Sequence, residues 1–182
     1  MASRERVVLV DGSALIFRAF FAIPSGFQSS AGVPTNATYG FALMFRKILG
    51  GKTPAYGAVV FDAPGKTFRD AKYPKYKAQR PRMPGELREQ LPWIRKVVEA
   101  HEWPELTVEG FEADDVIGTL ARQAVEAGHE VFIVSGDKDF AQLVGEHVRM
   151  VDTMKDVTYD AELVRKKWGV PPERFVDYLA LA

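Results

Sequence analysis

Hydrophobic and polar positions alternate along the chain in blocks that favour strands and helices in turn. A short apolar run with no polar break predicts a buried strand at residues 7–10, and mainly apolar runs predict strands at residues 56–61 and 130–134. Residues 105–108 and 148–151 are further strand candidates. Apolar residues spaced three to four positions apart predict helices. These helices are expected at residues 13–21, 35–49, 86–101, 113–127, 138–144 and 160–168, and from residue 171 onward.

This alternation of strands and helices predicts the fold class. It is typical of α/β proteins with a mostly parallel central sheet and helices on both faces. We expect the 182 residues to form one domain. Residues 63–85 hold four prolines and two glycines and are predicted to be irregular. The chain ends inside a helical pattern without a stop signal, so we expect a truncation there.

Composition excludes several classes of protein and of site. There is no cysteine, which rules out a disulfide framework, a zinc site with thiolate ligands and a cysteine nucleophile, and which fits a cytoplasmic protein. No apolar run approaches the roughly 18 residues of a membrane span. The three histidines, His101, His129 and His147, fall in unrelated places, so a zinc site built on histidine is not expected.

Charge is balanced overall but segregated along the chain. The 24 basic and 24 acidic residues cancel, yet residues 65–82 hold seven basic residues and one acid, Asp70. Aromatic rings are interleaved with these cations, a pattern typical of segments that contact nucleic acid. The alternative is a solvated loop, since most charge runs are solvated. The seven cations are Lys66, Arg69, Lys72, Lys75, Lys77, Arg80 and Arg82.

Acidic residues follow three of the predicted strands, and a fourth acidic group stands at the start of the helix predicted from residue 113. In open α/β sheets, ligands bind outside the carboxyl ends of the strands. If the helix begins at the same edge of the sheet, all these side chains converge there. The seven carboxylates are Asp11, Asp62, Glu112, Asp114, Asp115, Asp137 and Asp139.

Carboxylates gathered in a small volume repel one another, which raises their pKa values unless cations neutralise them. Oxygen ligands of this kind suit Mg²⁺ or Mn²⁺, so a divalent metal site is the simpler prediction. Each acid alone also has a structural explanation. Asp114 and Asp115 are favourable in the first turn of a helix, Asp137 and Asp139 can cap one, and Asp11 can serve in a turn.

Five stretches of the chain resemble, in their order, the 5′→3′ exonuclease domains of bacterial DNA polymerase I, a family related to flap endonucleases and PIN-like nucleases. The resemblance covers nearly the whole chain. The stretches are VDGSALIFRAF (10–20), VVFDAPGKTFRD (59–70), YKAQRPRMP (76–84), GFEADDVIGTLA (110–121) and SGDKDFAQLV (135–144).

The resemblance implies a PIN-like fold in which residues 63–85 form a basic arch. It also implies a phosphodiesterase, dependent on Mg²⁺ or Mn²⁺, that trims 5′ ends and flaps of DNA and removes RNA primers. By the family pattern, Asp62 and Asp114 bind a first metal ion together with Asp11 and Glu112, Asp137 and Asp139 bind a second ion, and Asp115 supports them. Residues implied in gripping the DNA are Arg18, Arg69, Tyr76, Lys77 and Arg80; of these, Arg18 and Lys77 are also implied in catalysis, with Asp11, Asp62 and Asp114.

One departure from the family matters. The family continues with a G-D-x-S-D-N motif and a helix–hairpin–helix region, whereas this chain stops at Ala182. We therefore expect an incomplete second metal site, weak or absent activity, no polymerase segment, and a monomer. Two alternatives stay open: a PIN-type ribonuclease, and a catalytically inactive module that binds nucleic acid.

Overall fold

The computed structural model describes residues 4–51 and 53–181, and its centre is a six-stranded sheet. The strand order is β3-β2-β1-β4-β5-β6, and every neighbouring pair is parallel except β5 and β6. This confirms the predicted α/β class with a mostly parallel sheet. The strands are β1 (Arg6–Asp11), β2 (Tyr56–Val60), β3 (Glu105–Leu106), β4 (Glu130–Val134), β5 (Val148–Asp152) and β6 (Val157–Tyr159).

Helices cover both faces of this sheet. In the part of the chain that the structure describes, no helix is long and apolar enough to cross a membrane. The α-helices are α1 (Gly12–Ala22), α2 (Asn36–Leu49), α3 (Phe68–Lys72), α4 (Gly85–Ala100), α5 (Ala113–Glu126), α6 (Ala161–Trp168) and α7 (Phe175–Leu181), and two 3₁₀ helices span Lys138–Leu143 and Pro172–Arg174.

The central strand β1 is apolar at successive positions because both of its faces are covered. Val7 and Leu9 pack in a core beneath α5, α6 and α7, whereas Val8 and Val10 pack in a second core beneath α1, α2 and α4. Strand side chains alternate between the two faces of a sheet, so a strand between two cores needs no polar position. The acids that follow the strands therefore stand out at its edge.

Two elements differ from the sequence prediction. Residues 63–85 were predicted to be irregular but contain α3. Thr67 is the N-cap of this helix, and its side chain accepts a hydrogen bond from the backbone N–H of Arg69. Asp70 completes a capping box, because its carboxylate accepts a hydrogen bond from the backbone N–H of Thr67 at 2.7 Å. This local capping pattern allows a short helix despite the nearby prolines. Strand β6 was not predicted, since three residues carry too little pattern to indicate a strand.

The order of the strands creates a crevice at the carboxyl edge of the sheet. The chain runs outward from β1 to β2 and β3, and then returns to place β4 on the other side of β1. Val10 is in register with Val59 of β2 and with Val134 of β4, and Val134 is in register with Val151 of β5. Four strands thus end at one level, at the topological switch point where such folds bind ligands.

Candidate active site

A cleft of about 880 Å³ opens at this edge of the sheet. The carboxyl ends of β1, β2, β4 and β5 contribute residues to it, and so does the first turn of α5. The cleft confirms the predicted convergence for only five of the seven acids, since Asp115 and Asp139 are not among its lining residues. The five that line it are Asp11, Asp62, Glu112, Asp114 and Asp137.

Asp11 is the most buried of these acids, with 3% of its surface exposed. It ends β1 and caps α1, accepting the backbone N–H of Ala14 at 2.9 Å, and its second oxygen accepts the hydroxyl of Ser135 at 2.8 Å. Burial raises the pKa of Asp11 to about 6, against the effect of these two hydrogen bonds and with a further contribution from Asp62 and Asp137. The fold thus holds a carboxylate where its charge is costly.

Asp62 and Asp114 line the cleft where the end of β2 meets the start of α5. Asp62 accepts the backbone N–H of Ala113 at 2.8 Å, which ties the residue after β2 to the first turn of α5. Burial raises the pKa of Asp114 to about 7, and Asp11, Asp137 and Asp62 raise it further through their charges. The four aspartates therefore interact electrostatically across one cleft.

The second predicted acidic pair follows β4. Asp137 begins the 3₁₀ helix that follows, where it accepts the backbone N–H of Asp139 at 3.0 Å, and both side chains are exposed. Desolvation raises the pKa of Asp139, and the charge of Asp137 adds to this effect. Capping and metal binding are compatible here, because a cap uses one carboxylate oxygen and leaves the other free.

The carboxylates fit a divalent cation in type, although they are not gathered tightly around one point. No three acidic or histidine side chains of the described residues lie close enough together to hold a metal ion as they stand. Their oxygens are nevertheless the ligands that hard divalent cations prefer. Burial, and after it the charges of neighbouring acids, raise the pKa values of Asp11 and Asp114, and a bound cation would offset both costs of ionising them.

Two of the predicted ligands are neutralised by cations of the chain itself. Arg69 binds Asp115 through two hydrogen bonds of 2.5 and 2.7 Å, which hold the pKa of that carboxyl below its usual range. The ammonium of Lys77 lies 2.7 Å from Glu112, and the hydroxyl of Tyr76 donates to the same carboxylate at 3.0 Å. The basic segment is thus fastened to the first turn of α5, a pairing that the sequence analysis did not predict.

The segment of residues 63–85, here called the arch, forms one wall of the cleft. Lys77, Arg80 and Arg82 line the cleft from this side. Lys77 has a φ of 51°, a left-handed conformation that is uncommon for residues other than glycine and is concentrated at functional sites. Arg69, predicted to contact DNA, is instead seen paired with Asp115, so its DNA contact stays a prediction.

Arg18 lines the cleft and is paired with an acid that the sequence analysis missed. Its guanidinium donates to Asp152 at 2.8 Å, and Asp152 is 2% exposed. Gly136 allows this position, because a Cβ there would lie 1.6 Å from a guanidinium nitrogen of Arg18. Asp152 ends β5 as Asp11 ends β1, so an acid at the end of an apolar run was a signal that could have found it.

Other residues of the cleft were not singled out by the sequence analysis. Phe17 and Phe21 of α1 reach it, and 72% of the Phe21 surface is exposed, which is unusual for a large apolar side chain. Lys155, Lys167 and Trp168 line it from the turn between β5 and β6 and from α6. These positions are set by tertiary structure alone.

Comparison with known proteins identifies this architecture. Residues 6–169 match the family model described as the 5′-3′ exonuclease, N-terminal resolvase-like domain. The chain is 43% identical over 182 residues to the DNA polymerase I of Bacillus caldotenax, with 98% of this chain covered but only 21% of the relative. It is 44% identical over 177 residues to a 5′-3′ exonuclease of Aquifex aeolicus, which covers 97% of this chain and 61% of the relative. The chain thus spans about a fifth of the curated polymerase and under two thirds of the exonuclease.

Solved structures show the same fold. A structure of the 5′-exonuclease of bacteriophage T5 with bound divalent metal ions (zinc) superimposes with a TM-score of 0.72 at 20% identity, over 94% of this chain and 64% of that one. The sequence match and the shared fold confirm the resemblance drawn from the motifs and favour it over a PIN-type ribonuclease. The chain therefore belongs to the 5′-3′ exonuclease family, as its N-terminal resolvase-like domain.

Proposed function

We propose that this domain is a 5′ nuclease that depends on a divalent metal ion and hydrolyses phosphodiester bonds at the 5′ ends and flaps of DNA. The observation that carries the proposal is the cleft itself. Carboxylates from three strand ends and from α5 line its floor, while cations line both of its sides. Acids alone would repel a polyanion, and cations alone would bind it without chemistry.

Mg²⁺ or Mn²⁺ is the proposed cofactor, because all the candidate ligands are carboxylates. Asp62 and Asp114 would hold a first ion, with Asp11 and Glu112 binding it directly or through water. Asp137 and Asp139 would hold a second ion more weakly, with Asp115 as support. When bound, such ions supply Lewis acidity, lowering the pKa of water and stabilising a leaving oxygen.

The chain's own cations orient the substrate in this proposal. Arg18 and Lys77 line the same cleft as the carboxylates and would grip the scissile phosphate together. Arg80 is exposed on the arch and would hold a neighbouring phosphate. Tyr76 would contact the displaced nucleotide through its ring, while its hydroxyl bonds Glu112.

The substrate class is DNA with a free 5′ end or flap, and an RNA primer paired to DNA would be handled by the same grip on phosphate. Support comes from a structure of the bacteriophage T5 flap endonuclease with DNA and metal ions, which superimposes on this chain with a TM-score of 0.69. The proposed setting is the cytoplasm, with the domain acting as a monomer.

A metal titration of cleavage tests this proposal. A DNA flap labelled at its 5′ end is incubated with the chain in chelator, in Mg²⁺ and in Mn²⁺, beside a single-stranded RNA and a blunt duplex. We expect cleavage of the flap that begins with metal and is lost in Asp114→Asn. Binding without cleavage at any metal concentration would indicate an inactive binding module, and cleavage of the single-stranded RNA alone would indicate a ribonuclease.

A further inference from the structure

The side of the cleft opposite the arch carries its own set of cations. We call it the sheet wall, because its residues stand on or beside the sheet rather than on the arch. It draws on α1, the first 3₁₀ helix, the turn after β5, and α6. Its residues are Arg18, Lys138, Lys155, Lys167 and Trp168.

Asp152 organises the first half of the sheet wall. Besides Arg18 at 2.8 Å, its carboxylate lies 3.5 Å from the ammonium of Lys155 and accepts the backbone N–H groups of Met154 and Lys155 at 3.1 and 3.3 Å. One buried carboxylate therefore fixes the turn after β5 and draws two cations to the cleft. Because two positive charges meet one negative charge, the group keeps an excess positive charge.

The second half of the wall holds its cation with aromatic rings. The ammonium of Lys167 lies 4.3 Å from the ring centre of Tyr159 and 4.4 Å from that of Trp168, and it also bonds the Tyr159 hydroxyl. Such rings orient an ammonium without neutralising it. Within the described residues Lys167 has no carboxylate in salt-bridge range, and the same holds for Lys138, whose ammonium lies 5.3 Å from the ring of Tyr178.

We propose that the sheet wall is a second phosphate-binding surface, which holds the sugar–phosphate backbone of DNA beside the metal site and independently of the arch. The inference rests on the proposed function and adds to it the residues Lys155, Lys167 and Lys138. Fixed cations next to an open cleft attract a polyanion, and their contacts with phosphate groups carry no sequence information. The surface should therefore add affinity without sequence preference.

Adjacent lysines of α6 provide a matched test. Lys167 lines the cleft, whereas Lys166 is exposed on the same helix and does not. Lys167→Ala, Lys155→Ala and Lys166→Ala are compared by fluorescence anisotropy with labelled single-stranded and duplex DNA, in chelator, across a salt series. We expect Lys167→Ala and Lys155→Ala each to weaken binding about three- to tenfold and to reduce the salt slope by about one. Lys166→Ala is expected to match the wild type.

The possible failures are distinguishable. If Lys167→Ala and Lys155→Ala bind as Lys166→Ala does, the sheet wall is not a phosphate site, although cleavage of flaps by the wild type would still stand. If the wild type neither binds nor cleaves DNA, the proposed function fails and this inference falls with it. Thermal melting of each variant guards against misfolding, and a lower affinity with an unchanged salt slope would also contradict phosphate contact.

Discussion

The two walls of the cleft hold similar charge in opposite ways. On the arch, Arg69 and Lys77 are paired with Asp115 and Glu112, acids that are themselves candidates for the metal site. On the sheet wall, Arg18 is paired with Asp152, which is buried and does not line the cleft. Arg69 and Lys77 of the arch would therefore have to leave these acids before they could bind a substrate. On the sheet wall, Arg18 can keep its partner, and Lys138 and Lys167 have no carboxylate in salt-bridge range among the described residues.

The two walls also differ in the secondary structure that supports them. The arch contains one helix of five residues, and Lys77 of the arch has a left-handed backbone conformation. The sheet wall stands on β5, β6 and α6, whose residues pack into one of the two cores. A site on rigid elements is positioned more accurately than one on a loop. The contrast suggests that the sheet wall locates the DNA and that the arch responds to it.

Removing the charge of Asp114, which lies in the cleft between the two walls, should have the largest effect on cleavage. We expect Asp114→Asn to reduce the cleavage rate by about 100-fold or more, because it removes a proposed ligand and a charge from the proposed metal site. Single-turnover cleavage of a flap in saturating Mg²⁺ measures this. Asp115→Asn is the matched neighbour, and because Asp115 is held by Arg69 its loss should reduce stability more than rate. Equal rates for Asp114→Asn and wild type would refute the assignment.

The role of Asp152 can be separated from simple stability by a double-mutant cycle. We expect Arg18→Ala to lower kcat/KM about tenfold or more, Asp152→Asn to lower it about fivefold, and the double variant to be no worse than Arg18→Ala. Non-additivity of this kind is expected if Asp152 acts by positioning Arg18. Asp156→Asn is the control, since it breaks only an exposed pair with Lys47. Additive losses would show that Asp152 acts elsewhere.

The burial of Asp114 and its repulsion by neighbouring acids should appear as a dependence of folding stability on pH. Because the pKa of Asp114 is raised to about 7, its contribution to the metal-free fold is present below its unfolded pKa and is lost as pH rises through 7. Asp114→Asn should therefore gain stability over wild type between about pH 4 and pH 7, and the gain should then level off. We expect about 1 kcal/mol, since partial exposure screens the charges.

Denaturant unfolding in chelator measures this difference, and urea keeps the ionic strength constant across the series. Addition of Mg²⁺ should reverse the order of the two proteins, because the wild type then gains binding energy that the variant lacks. A stability difference that is independent of pH would mean that Asp114 is not under electrostatic strain in the fold.

The smallest expected effect bears most directly on the difference between the walls. Lys77 pairs with Glu112 and would compete for it with the proposed metal ion. We therefore expect Lys77→Ala to tighten Mn²⁺ binding about two- to threefold, the value of a partly exposed ion pair. Lys167→Ala should leave Mn²⁺ affinity unchanged, since Lys167 pairs with no acid of the cleft among the described residues. Calorimetric titration of the metal without DNA decides, and equal shifts in the two variants would remove the distinction.

Local signals in the sequence were sufficient for the framework of the site. Asp11 and Asp62 follow apolar strands, and the parallel arrangement placed both at one edge. Asp152 offered the same signal at the end of β5. Its pairing with Arg18 could not be predicted in the same way, because the two residues are 134 positions apart and no motif contains both of them.

The basic arch shows where pattern analysis fails. Its charge was evident from the sequence, and contact with a polyanion was the natural interpretation. The pairing of Lys77 with Glu112 depends on how the arch folds back over α5 across 35 positions of sequence. Long-range ion pairs follow from tertiary structure, so the predicted convergence of seven acids overlooked that two already have partners.

The placement of β1 at the centre of the sheet has a consequence for synthesis of the chain. Its neighbour β4 begins at Glu130, and the hydrogen bond from Ser135 to Asp11 joins residues 124 positions apart. A chain emerging from the ribosome can therefore form neither the completed sheet nor the cleft until most of it has been translated. Such non-local pairing slows folding, and it means that an incomplete nascent chain has no assembled cleft.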